Sequence, residues 1–119
     1  MKILITQWSK EQLPPGTHDV RIDKVEEGKT SNGIEYFECF FSGYFGYCSS
    51  RFYITEKSLN RVISLFKACL IRVYKDECLD TVYLQGKHLK IENVGKVIDG
   101  NYIIETVAFY PSEFQVEED

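Results

Sequence analysis

Between Ile34 and Ile54 the chain alternates in character at every second residue, twice over, and then changes period. In IEYFECFFS, residues 34–42, Phe37, Cys39 and Phe41 share one face, and Tyr36, Glu38 and Phe40 share the other. Ser42-Gly43 begins a turn, and the pattern resumes in GYFGYCSSRFYI, residues 43–54. There Cys48, Ser50, Phe52 and Ile54 form one face, and Tyr47, Ser49, Arg51 and Tyr53 form the other. A period of two over this length describes half-buried strands. From residue 56 the period becomes helical. In EKSLNRVISLFKACLIRVY, residues 56–74, Leu59, Val62, Ile63, Phe66, Leu70 and Val73 recur at steps of three and four. This predicts one amphipathic helix, with Asn60, Arg61, Ser64 and Lys67 opposite the stripe and Thr55 or Ser58 as its cap.

The flanks extend the strand pattern. THDVRIDKVE, residues 17–26, sets Val20 and Ile22 against Arg21 and Asp23, and EGKTSNG, residues 27–33, is a polar loop ending in Asn-Gly. Residues 75–85 read as an irregular connection holding a short turn of helix. Gly86 opens a fourth strand with Leu89 and Ile91 inward and His88, Lys90 and Glu92 outward. Gly95 to Gly100 forms a turn, and residues 101–110, NYIIETVAFY, form a fifth strand. Three strands, a helix and two strands is the order of an OB fold, although a ubiquitin-like or other α+β roll shares part of it. The expected protein is mainly β: a five-stranded OB-fold barrel over residues 13–111, with one α-helix between strands three and four. Residues 1–12 form an N-terminal arm or extra strand, and residues 112–119 an acidic flexible tail.

A chain of 119 residues is most simply one domain. The longest uncharged run, Cys39 to Ser50, falls well short of the roughly 20 apolar residues of a membrane span, and no signal-peptide core is visible at the start. The expected location is the cytoplasm, with no membrane partner. Cys39, Cys48, Cys69 and Cys78 lack the spacing of a zinc ribbon, and His18 and His88 stand alone. They read as reduced, mostly packed thiols, with no metal and no cofactor. No phosphate-binding glycine loop, nucleophile elbow or paired metal ligands occur, so no enzymatic activity is expected.

The net charge of −4 lies entirely in EFQVEED, whose Glu113, Glu117, Glu118 and Asp119 leave residues 1–112 with 14 basic and 14 acidic side chains. A neutral body can still present a basic face. On an OB barrel, strands two and three and their loops form the binding surface. Tyr36, Phe40, Tyr47, Arg51 and Tyr53 point outward there, with Tyr44 at the turn. Outward rings forgo ~1.5–3 kcal/mol of burial apiece. Base stacking supplies a reason for them, and arginine adds phosphate contact. Cross-strand aromatic pairing in an ordinary sheet is the alternative reason. Arg21 and Lys24, Lys29 in the first loop, and His88 and Lys90 flank the face, whereas Glu38 opposes a strongly basic groove.

LPPGTHDVRI, KTSNGIEYF, LQGKHLKI and the final Phe109-Tyr110-Pro111 carry a resemblance over residues 13–111. The chain resembles phage- and prophage-encoded single-stranded-DNA-binding proteins of the OB fold. It departs from them at the helix end, where an Ala-x-Gly is common and this chain reads KACLIRVY, which predicts a helix that runs on. The resemblance implies sequence-nonspecific binding of single-stranded DNA in phage replication or recombination, in the host cytoplasm. Tyr36, Phe40, Tyr47 and Tyr53 would stack bases, with Tyr44 beside them, and Arg51, Arg21, Lys29 and Lys90 would contact phosphates. The acidic tail is similar in composition to those that recruit protein partners or compete with DNA. The alternative is an OB-fold protein-interaction module, a phage accessory or inhibitor, using the same rings. Self-association into a homo-oligomer is a third reading.

Overall fold

The computed structural model describes Met1 and residues 12–112. The proposed N-terminal arm, apart from Met1 and Gln12, and the tail residues 113–119 lie outside the described residues. The fold is mainly β. Five strands, β1 (Gly16–Lys29), β2 (Glu35–Gly43), β3 (Gly46–Tyr53), β4 (His88–Ile98) and β5 (Asn101–Pro111), form one antiparallel sheet in the order β3-β2-β1-β4-β5. The helix α1 (Leu59–Ala68) lies between β3 and β4, and 3-10 turns occupy Glu56–Ser58 and Thr81–Leu84. The strand alternation sorts the core. Phe37, Cys39 and Phe41 of β2, Cys48 and Phe52 of β3, and Leu89 and Ile91 of β4 are buried with Val20 and Ile22 of β1. Phe37 and Phe52 stack at 5.0 Å between ring centres, directly across the β2–β3 ladder.

The sheet curls but does not close by a ladder, because no strand pairing joins β3 to β5. Side chains span that seam instead. Arg61 of α1 donates to the Arg51 carbonyl (2.9 Å) and the Ser50 hydroxyl (2.6 Å) of β3, and to the Thr106 carbonyl (3.1 Å) of β5. Its guanidinium also lies over the rings of Phe52 (4.2 Å) and Phe109 (5.2 Å). Burial pulls its pKa down while the charge of Glu105 opposes the shift. Further along, the buried Leu13 donates its N–H to the Tyr47 carbonyl (3.0 Å), and Asn93 donates to the Leu13 carbonyl (3.4 Å). Asn93 is itself buried and accepts from the Thr106 hydroxyl at 2.6 Å. The helical period places Arg61 opposite the apolar stripe; in the fold it is a half-buried strut across the seam.

The helix is shorter than its hydrophobic period. It ends at Ala68 because Leu70 N–H turns back to the Lys67 carbonyl (3.0 Å) and Ile71 N–H to the Phe66 carbonyl (3.0 Å). These two bonds are the Schellman closure. Leu70 occupies its left-handed position at φ 59, the position that glycine most often takes in this motif. The buried stripe is accordingly Val62, Leu65, Phe66 and Cys69, while Leu59 and Leu70 are exposed. A left-handed β-carbon costs ~1–2 kcal/mol, part of which glycine returns through its freer unfolded chain. Leu70→Gly should therefore stabilise the protein by about 0.5–1 kcal/mol and raise the Tm by about 3 °C, measured by calorimetry. A lower Tm would show that the Leu70 side chain contributes more than its strain.

Three other boundaries differ from the sequence reading. β1 runs on to Lys29, and the loop closes tightly around Thr30, whose carbonyl accepts from Gly33 N–H (2.9 Å) and whose hydroxyl accepts from Ile34 N–H (3.1 Å). β4 continues through Gly95 to Ile98, so the last turn is only Asp99-Gly100, both at positive φ (51 and 78). Ile54 follows the last residue of β3 and is 52% exposed, not a core plug. The 3-10 turn at 81–84 matches the expected short turn and seats Leu84 in the core.

Cys39, Cys48 and Cys69 are buried free thiols and Cys78 is exposed. Burial pushes Cys69 up to about 12 and raises Cys39 and Cys48 as well. A raised thiol pKa adds stability below the ordinary thiol range that is lost as pH climbs from there through the folded value. Stability should fall in strongly alkaline solution. A thiol reagent at neutral pH should modify Cys78 at once and the other three only on unfolding; four fast thiols would contradict the packing.

Candidate nucleic-acid interface

The outer face of β1, β2 and β3 is organised in cross-strand rows. Arg21, Ser42 and Tyr47 form one row; Lys24, Phe40 and Ser49 the next. Glu26, Glu38 and Arg51 form the third, and Gly28, Tyr36 and Tyr53 the fourth. A bulge at Asp23, between Ile22 and Lys24, switches the parity of β1, which is why Arg21 and Lys24 both reach this side.

Most of the expected residues meet here. Tyr36 and Tyr53 lie 5.9 Å apart with tilted rings, and the Arg51 guanidinium sits 4.4 Å over Tyr36. Tyr36 in turn covers Gly28, where a Cβ would fall 2.6 Å from its phenol carbon. A larger residue there would displace the Tyr36 ring from its place across the strand. Phe40 is half-buried beneath the Lys24 ammonium at 4.6 Å. Tyr44 and Phe45 form the β2–β3 tip, 89% and 70% exposed, ring edge to ring face at 5.0 Å. A shallow cavity beside that tip is lined by Asp23, Phe40, Ser42, Tyr44 and Tyr47. Phe45 escaped the parity argument because it lies in the turn, where alternation assigns no face.

Two expected residues sit apart. Lys29 pairs with Glu35 across the ladder at 3.9 Å and shares the side of Phe37, opposite the rings, near Ile54 and Thr81. The bulge at Asp23 produces this, since it reverses which β1 residues face out. Lys90 lies on the outward side of β4, opposite Asp19 and Tyr110, one row beyond Arg21 and His88.

The charges of the face are paired internally. Arg21 lies 3.4 Å from Asp23, Lys24 2.9 Å from Glu26 and Arg51 2.9 Å from Glu38. The hydrogen bond that Arg51 donates to Glu38 raises the Arg51 pKa further. Exposed pairs of this kind are worth ~0–1 kcal/mol, so a phosphate can displace them. Glu38 is the acid most enclosed by the rings. Glu38→Gln should release Arg51 and tighten oligo-dT binding several-fold at low salt, read by fluorescence anisotropy. Weaker binding in this variant would mean that Glu38 positions Arg51 for the ligand.

Among the described residues, no group of three or more His, Cys, Asp or Glu side chains is placed to hold a metal ion, and no helix is long and apolar enough to cross a membrane. No protein-family model matches the chain, and no curated protein is significantly similar to it.

Proposed function

We propose that this protein is an OB-fold, sequence-nonspecific single-stranded-DNA-binding protein of the phage or prophage type, without enzymatic activity. The observation that carries the reading is the four-row outer face, where Tyr47, Phe40, Tyr36 and Tyr53 follow one another along β2 and β3 with Arg51 among them. The strand order, with the helix between β3 and β4 and the seam between β3 and β5, suits the partly open barrel of that fold. Bases stack on Tyr36, Tyr47 and Tyr53, with Phe40 and the tip residue Tyr44 at their side. Arg51, Arg21 and Lys24 exchange their carboxylates for phosphates, and Lys90 extends the track. Every base has a flat face, so stacking is tolerant of sequence.

The test is anisotropy of a labelled oligo-dT of about 30 nucleotides, longer than the ~4–16 that one OB fold covers. Binding should be displaced by single-stranded but not duplex competitor and should weaken with salt as counterions are released. The second reading, a protein-interaction module on the same face, is favoured by the internal neutralisation of all three cations. Aromatic residues with arginine are enriched at such interfaces. Absence of oligo-dT binding at low salt, in the full chain and in a form lacking residues 113–119, would decide for that second reading.

A further inference from the structure

The β4–β5 hairpin runs beyond the body of the molecule. β1 accompanies β4 only as far as Asn93, opposite Gly16. From Val94 outward, β4 has β5 as its sole ladder partner among the described residues. Every residue from Gly95 to Ile103 is exposed, on both faces of the ribbon. They include Val97 at 69% and Tyr102 at 64%, together with Ile98 and Ile103. A two-stranded ribbon standing alone is marginal in water, and clustered exposed apolar side chains mark an interaction surface. The ribbon is nonetheless preformed. Asp99-Gly100 supplies the two positive φ angles of a tight hairpin turn, and the Tyr102 ring lies over Gly95, leaving no room for a β-carbon.

Charge argues against a polyanion as its partner. The ribbon carries Lys96 against Asp99 and Glu105, and Glu105 engages Lys96 across the ladder side. Strand chemistry points to another strand. β5 is the terminal strand of the sheet, and its outer edge along Asn101–Glu105 has no ladder partner among the described residues. Such an edge, rich in isoleucine and tyrosine, is a template for pairing.

We propose that two copies of this chain pair through their β5 edges, antiparallel about a twofold axis at Ile103, to form one continuous sheet. This register sets Ile103 against its own copy, Tyr102 against Ile104 of the partner subunit, and Asn101 against Glu105 of the partner subunit. Apolar meets apolar, polar meets polar, and no like charges face each other. A shift of the axis by one residue, to Ile104, would oppose Ile103 to a glutamate. The outer edges of β4 are the poorer choice, because centring them on Lys96 would bring two ammonium groups together, which destabilises a sheet. A twofold contact is self-complementary and closes, so it removes both edges at once.

Sedimentation of the full chain at about 100 μM should return twice the 13.9 kDa monomer mass. Ile103→Lys, which sets two cations on the axis, should return the monomer, with a Tm that no longer rises with protein concentration. In a Cys78→Ser background, Ile103→Cys should oxidise to a covalent dimer, since directly opposed antiparallel residues lie ~4.5–5.5 Å apart, within disulfide reach. Val97→Cys on the other strand should not cross-link. A monomeric wild type, or a dimer that survives Ile103→Lys, would overturn the proposal. So would an Ile103→Lys variant of unchanged mass that loses oligo-dT binding, which would assign the ribbon to nucleic acid.

Discussion

Arg61→Ala is expected to lower the free energy of unfolding by about 3 kcal/mol, the largest effect of any single polar side chain on the helix. The guanidinium replaces the ladder that β3 and β5 do not make. It donates to a carbonyl on each strand and to the Ser50 hydroxyl, and it rests on Phe52 and Phe109. Hydrogen bonds from a charged donor contribute ~1.5–3 kcal/mol each when their acceptors are otherwise left dry. Water entering the cleft lined by Ser50, Arg51, Thr106 and Val107 offsets part of that loss. Arg61→Lys should recover little, because one ammonium cannot reach both strands with the fixed fork of a guanidinium. Urea unfolding monitored by far-UV circular dichroism measures both variants. A loss below about 1 kcal/mol for Arg61→Ala would mean that solvent closes the seam as well as the side chain does.

Loss of Tyr47 and Tyr53 together should weaken single-stranded-DNA binding by ~2–6 kcal/mol, from ~1–3 kcal/mol per stacked base. The two rings stand six residues apart on the same face of β3, roughly 20 Å at the rise of a strand. At that separation their effects should add. Tyr47→Ala should leave the fold untouched, since the side chain is exposed. Tyr53→Ala removes the contact with Tyr36 and should cost stability by ~0.5–1.5 kcal/mol at most. Affinity and Tm therefore separate the two roles. Wild-type affinity in the double variant would remove base stacking on β3 as the basis of binding, whatever the affinity of the protein itself.

The sequence by itself determined the element order, five strands with the helix after the third, and the inward residues of β2, β3 and early β4. Alternation at period two is a local property: each β-carbon points opposite to its neighbour whatever the partner strand. For the same reason the outward set Tyr36, Phe40, Tyr47, Arg51 and Tyr53 is legible in the alternation itself. Parity arguments end where the backbone breaks register. The bulge at Asp23 carried Lys29 to the opposite side and brought the Lys24 ammonium over Phe40. The helix end was hidden because its signal, a residue at positive φ, is normally a glycine, and here Leu70 accepts the strain.

Tertiary structure alone decided how the sheet ends meet. Arg61 lies opposite the apolar stripe by period, and nothing in the alternation of the fourth strand singles out Asn93. Each joins groups distant in sequence: Arg61 reaches Thr106, and Asn93 reaches Leu13. Hydrogen bonds across such separations leave no periodic trace, since they depend on the curl of the whole sheet rather than on neighbouring residues. The internal pairing of Arg51 with Glu38 follows from the same cause, because only the β2–β3 register sets that cation opposite that acid.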